Sequence, residues 1–122
     1  MLRIVLVLIT LASSAVAAPD AKQLASDRVT AAEKVYTGTL AALKIGRATS
    51  EAAYVWSTRW LDAELANGKA AKQALADHLA RMTALETELA KSMQAGTASS
   101  TDHDATVYFK LEAGVWALRG KR

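Results

Sequence analysis

After Pro19 the chain contains no proline. That absence limits the fold more than any other feature, because proline is what ends or kinks helices in most chains. Twenty-seven of the 122 residues are alanine, the best helix former, and β-branched clusters are few beyond the N-terminal segment. The expectation is an all-α chain. Its small side chains let helices approach closely.

The N-terminal segment reads as an export signal. Met1-Leu2-Arg3 carries one positive charge, Ile4 to Ala12 is apolar but for Thr10, and Ser13-Ser14-Ala15-Val16-Ala17 supplies small residues for a peptidase. Cleavage is expected after Ala17. Cleavage after Ala18 would place Pro19 directly behind the cut. The apolar run is about half the roughly 20 residues of a membrane span, so no stable span is expected once the signal is gone. The expected organisation is a signal peptide over 1–17 and a single helical domain over 18–122, in the periplasm or secreted. The chain has no cysteine, which removes disulfides, thiolate chemistry and a lipid-modified N-terminus.

Fifteen basic residues against twelve acidic ones, interspersed, imply no nucleic-acid partner. The one basic cluster, Arg119, Lys121 and Arg122, fits a solvated tail at a helix C-terminus.

Apolar residues recur at helical spacing. Leu24, Ala32, Val35, Tyr36, Leu40 and Leu43 define a first helix over 21–45, with Ser26 or Asp27 as a candidate cap. Gly46 suits the residue after a helix end, and Thr49 or Ser50 the next N-cap. A second helix starts near Ser50. Leu75, Leu79, Met82, Leu89 and Met93 form a heptad-like seam, Glu86 taking an expected apolar place beside Leu85, while Asp77 and Arg81 read as an i,i+4 pair on the other face. Asn67-Gly68 is a turn signal. Neither proline nor a polar loop accompanies it, so one long central helix over 50–94 is expected, the alternative being a four-helix bundle broken there. Gly96 repeats Gly46, Ser99 with Asp102 resembles a capping box, and Tyr108, Leu111, Val115 and Leu118 mark a last helix ending at Gly120.

The two glycine turns lie fifty residues apart. At that offset Asp27 falls on Asp77, Ala32 on Met82, Val35 on Leu85, Gly46 on Gly96, Thr49 on Ser99 and Leu61 on Leu111. We read two repeats of about 50 residues, each a helix, a turn and a helix. A lone hairpin of this composition buries too little apolar area to offset chain entropy. Its seam must be completed by the other hairpin or by another chain.

The stretch Leu43-Lys44-Ile45-Gly46-Arg47-Ala48-Thr49-Ser50-Glu51, followed by Tyr54, Trp56 and Asp62-Ala63-Glu64-Leu65, resembles the hairpin turns of TolC-like outer-membrane efflux proteins. Gln94-Ala95-Gly96-Thr97-Ala98-Ser99 matches the same turn. It also looks like small exported helical proteins with Tyr-x-Trp-Ser and Trp-Leu-x-Ala-Glu-Leu stretches. The resemblance implies a helical-hairpin module in the envelope rather than a self-sufficient pore, since no alternating strand of about ten residues is present.

No catalytic, cofactor or metal site is expected. Asp102-His103-Asp104 are adjacent and diverge around a helix, so they do not converge on one ion. Arg28, Arg47, Arg59 and Arg81 show no spacing that would gather them on a dianion. The aromatic residues are either core or interface, and Trp56 and Trp60 are the candidate partner contacts. Gly46, Thr49, Gly96 and Ser99 are assigned to the structural turns. The functional expectation is a non-enzymatic, extracytoplasmic interaction or scaffold protein that binds a protein partner or itself. The alternatives are a transport-associated hairpin module acting as an oligomer, and a small exported helical enzyme.

Overall fold

The computed structural model describes Ala18 and residues 20–122. The expected signal peptide over 1–17 lies outside the described residues. The described chain is all-helical: α1 spans Ala21–Lys44, α2 Ser50–Ala66, α3 Ala71–Gln94 and α4 Ser100–Arg119. None of these helices is long and apolar enough to cross a membrane.

The helix starts follow from local side chains. Thr49 accepts the Ala52 amide at 3.1 Å, and Ser99 forms a reciprocal capping box with Asp102, both bonds at 3.1 Å. The cap of α1 is Asp20, which accepts the Gln23 amide at 2.7 Å. The cap candidates Ser26 and Asp27 fall inside the helix instead. Alanine-rich sequence upstream of them carries the helix back to the Asp20 cap.

The long central helix does not form. The chain breaks at Asn67-Gly68, and the four-helix alternative is the one adopted. Gly68 takes φ +88°, a left-handed conformation that glycine adopts without a Cβ penalty. The Lys69 amide then bonds the Glu64 carbonyl at 3.0 Å and the Gly68 amide that of Leu65 at 3.1 Å. This Schellman pair satisfies the last carbonyls of α2 without a polar loop. The Lys69 ammonium next bridges Glu64 at 2.5 Å and Asp77 at 2.7 Å, tying the end of α2 to the first turns of α3. The start of α3 has no side-chain cap, so the local capping at the break all lies at the end of α2.

The helix boundaries recur at an offset of fifty. α1 and α3 are both 24 residues long, and Gly46 and Gly96 share φ +75°. α4, with 20 residues, outruns the 17 of α2. α1 packs on α2 and α3 on α4 as antiparallel hairpins, and α2 packs on α3 to join them. The tips of both hairpins line one cleft of about 460 Å³, with Leu43 and Thr49 on one side and Leu89 and Ala98 on the other. The hairpins therefore point the same way, α1 running with α3. One hairpin is carried onto the other by a step.

The core has two parts. Tyr36, Leu43, Ala53, Met82, Leu85, Leu89 and Ala113 draw on all four helices. Leu61, Ala74 and Leu75 form a smaller cluster between α2 and α3. Leu61, Leu75, Met82 and Leu85 are wholly enclosed, each contributing roughly 2 kcal/mol relative to exposure. The α3 seam is rotated from the one expected. Leu75, His78, Met82, Leu85 and Leu89 are buried, in steps of three and four, whereas Met93 is exposed. Leu85, not Glu86, takes the buried place. Glu86 lies half-buried, 3.5 Å from the Lys110 ammonium and 3.8 Å from His103 Nε2.

A Cβ at position 68 would meet nothing within 4 Å, so substitution there costs backbone strain alone. Gly68→Ala should lower the unfolding free energy by about 1–2 kcal/mol, read as a lower urea midpoint with an unchanged slope.

Candidate functional site

Two features stand out once the helices are placed: a polar cluster sealed between α2 and α3, and an apolar ridge on the outside of α4.

The cluster is built from Ser57, His78 and Arg81. Ser57 and His78 have no exposure at all. Ser57 Oγ lies 2.8 Å from His78 Nδ1. Arg81 Nε donates to Ser57 Oγ at 2.7 Å, and Arg81 Nη2 donates to the Ser57 carbonyl at 3.1 Å. Ser57 Oγ accepts from the Arg81 guanidinium, which only donates, and shares a second hydrogen bond with His78 Nδ1. The other ring nitrogen, Nε2, is buried without a partner. An orphaned polar atom of this kind costs about 1–3 kcal/mol. The His78 ring stacks on Trp116 with centroids 5.5 Å apart.

Arg81 is also held by aromatic faces. Its guanidinium carbon is 4.1 Å from the Trp60 ring centroid and 5.8 Å from that of Tyr36. Cation–π contact is stronger where water is excluded. Arg81 thus faces α1 and α2, and the expected Asp77–Arg81 surface pair is not made. Asp77 instead pairs with Lys69 and accepts from Gln73 at 2.8 Å. Chemistry at Ser57 and His78 would need access that the seam denies. What the cluster does is hold α3 to α2, and through Trp60 and Tyr36 to α1.

A second polar link joins the hairpins. The Tyr54 hydroxyl donates to Glu112 on α4, and the Tyr54 ring stacks on Phe109 at 4.2 Å. Burial, then the Glu112 hydrogen bond and charge, pushes the phenol up to about 12, so it remains a donor at physiological pH. At the end of α4 Arg122 pairs with Asp62 and lies 5.3 Å from the Trp116 ring centroid. The C-terminal cluster expected to be a solvated tail is partly tied down.

Trp60 is half-buried between Arg81 and Tyr36, its centroid 5.7 Å from that of Tyr36. Trp56 is half-buried under the Arg59 guanidinium at 4.5 Å. Both pack against the larger core cluster. Gly46 and Gly96 occupy the tips, Thr49 and Ser99 the adjoining N-caps. The four arginines stand apart. Arg28 is in α1 and Arg47 lies beyond its end, roughly 28 Å along the helix, Arg59 covers Trp56 and Arg81 is in the seam. Among the described residues no three metal-ligating side chains cluster.

Sequence reasoning missed Ser57, His78 and Arg81 as a unit. Its signal was available in part: His78 falls three after Leu75 and four before Met82, on the buried stripe of α3. The ridge on α4 was legible as a helical pattern, but its direction was not. Tyr108, Leu111, Val115 and Leu118 face outward, while the buried positions of α4 are Thr106 and Ala113. No protein-family model, curated protein or solved structure matches the chain.

His78 makes stability depend on pH. Burial first, then the charges of Arg81 and Arg122, lower its pKa from 6.5 to about 4, with Asp62 opposing. Between those values the unfolded chain binds a proton that the folded chain refuses. The contribution is thus fully present above pH 6.5 and lost as pH falls toward 4. We expect about 3 kcal/mol to disappear across that window, and His78→Leu to flatten this part of the profile. Urea unfolding of both proteins at half-unit pH steps checks it.

Proposed function

We propose that this protein is an exported, non-enzymatic helical interaction module of the cell envelope, and that the outer side of α4 is its working surface. The observation that carries the reading is the ridge of Tyr108, Leu111, Val115 and Leu118, four large apolar side chains in register along one helix and open to solvent. Contiguous apolar surface on a small domain marks a place where something docks. Single exposed apolar residues need no such explanation, but steps of three, four and three put these on one stripe. The surface offered by Trp56 and Trp60 is second to it, since those rings are half-buried and each already carries a guanidinium.

The TolC-like resemblance of the turns supports a related reading, a transport-associated hairpin module that works as an oligomer. Two hairpins set side by side with their tips at one end favour it. The enzyme reading has no comparable support, because the one Ser–His pair is sealed between α2 and α3.

The chain has no cysteine, so one introduced thiol is an unambiguous probe. In cells exporting the full chain, Leu111→Cys should react with a membrane-impermeant maleimide several-fold more slowly than in the dilute purified protein. Equal labelling rates in the two settings would contradict a docking role for this face.

A further inference from the structure

The molecule itself shows what covers a face like that of α4. The step of fifty residues that carries α1–α2 onto α3–α4 also carries α2 onto α4. Leu61, on α2, is fully enclosed by the second hairpin, whereas its counterpart Leu111 is 64% exposed. Thr58 and Leu65 lie in or beside the same covered face, and their counterparts Tyr108 and Val115 are open. The opposite side of the seam behaves alike. Ala74 and Leu85 on α3 are 1% and 0% exposed, but their α1 counterparts Leu24 and Val35 are 54% and 38% exposed. Four of the eight exposed large apolar side chains, Leu24, Val35, Tyr108 and Leu111, therefore occupy positions that are buried in the other hairpin, and a fifth, Val115, answers to the half-buried Leu65. One end of the molecule presents the α2-like face, and the other presents the α3-like face that fits it.

The polar fastening repeats as well. Between the hairpins, Lys69 follows the left-handed Gly68 and its ammonium pairs with Asp77, which Gln73 Nε2 holds at 2.8 Å. α1 carries the same holder: Gln23 Nε2 donates to Asp27 at 2.8 Å. α4 ends in a similar plug, two residues further along than the fifty-residue step places it, with Arg119 at the position of Lys69: Lys121 follows the left-handed Gly120, and its amide returns to the Trp116 carbonyl as that of Lys69 returns to Glu64. Among the described residues neither Asp27 nor Lys121 has an ion-pair partner. An anion waits on α1 and a cation at the end of α4, so the two ends are complementary in charge as well as in apolar pattern.

We propose that α4 of one molecule docks on α1 of a second copy, continuing the α2–α3 seam head to tail. This rests on the docking role proposed for α4 and names its occupant. Leu111 takes the place of Leu61 against Leu24 and Ala25, Val35 takes that of Leu85, and Lys121 reaches Asp27 of the next copy. The polar chain of the internal seam is not reproduced: Val107 stands for Ser57, Arg28 for His78 and Ala31 for Arg81. The junction is thus apolar at its centre, with Arg28 long enough to carry its charge to the rim. Because its two faces differ, the contact is heterologous and generates rings or open rows rather than a two-fold dimer.

The test uses protein purified from expression of the full chain, with Leu111→Glu disabling the α4 face and Leu24→Glu the α1 face. Both positions are exposed in the single molecule, and thermal melts by circular dichroism establish that each variant folds. Sedimentation equilibrium over micromolar to millimolar concentrations should show the parent protein self-associating. Each variant alone should associate roughly a hundredfold more weakly, because a buried unpaired carboxylate is costly. An equimolar mixture of the two should recover a heterodimer and stop there, since one intact α4 face then meets one intact α1 face. A monomeric parent protein, a Leu24→Glu variant that associates as well as the parent, or a mixture without heterodimer would each overturn the proposal. A monomeric parent whose Leu111→Cys thiol is still protected in cells would overturn the second-copy occupant while keeping α4 as a docking face.

Discussion

The fold depends on how one half-buried cation is satisfied. Arg81 enters the space between the hairpins from α3, where water reaches only part of its guanidinium and leaving it unpaired would be costly. Two of its donors are taken by Ser57 and its face is covered by Trp60 and Tyr36. Burial lowers its pKa while the carboxylates of Glu64 and Asp77 and the Tyr36 hydroxyl oppose that. Each partner lies on a different part of the first hairpin, so the charge is comfortable only when α1, α2 and α3 are all in place. The Ser57 hydroxyl links Arg81 to His78 Nδ1 and leaves Nε2 enclosed. Polar contacts of this kind are weaker as a source of stability than as a means of choosing one arrangement.

That selectivity matters because the apolar core alone is modest and its side chains are small. Alanines at 32, 53, 63, 74 and 113 are buried, and they bring helices close without specifying how far one slides along the next. Lys69 between Glu64 and Asp77, and Tyr54 on Glu112, add fixed points at different heights of the seam. Each is a single link at the edge of the seam, and neither would hold a helix in place alone. With Arg81 they set the register that leaves the α4 ridge outside.

The helical class, the tips at Gly46 and Gly96, and the caps Thr49 and Ser99 were legible in the sequence, because each rests on contacts within a few residues. Three things were not. Asn67-Gly68 carries a turn signal, but whether a helix continues past a single glycine is decided by what the next helix packs against, and here Leu61, Ala74 and Leu75 reward the break. His78 looked like a polar residue beside Asp77, because only the placement of Ser57 and Arg81 gives its ring a partner. The stripe from Tyr108 to Leu118 showed that α4 has an apolar side. Periodicity says nothing about what covers that side.

The central claim is that the two hairpins form one cooperative unit through the Arg81 seam. Native-state hydrogen exchange of the slowest amides in α1 and in α4 measures this most directly. Both sets should open with the same free energy, and Arg81→Met should lower the two by equal amounts. Amides of α1 that stay protected while those of α4 exchange, or an Arg81→Met effect confined to α3 and α4, would contradict it.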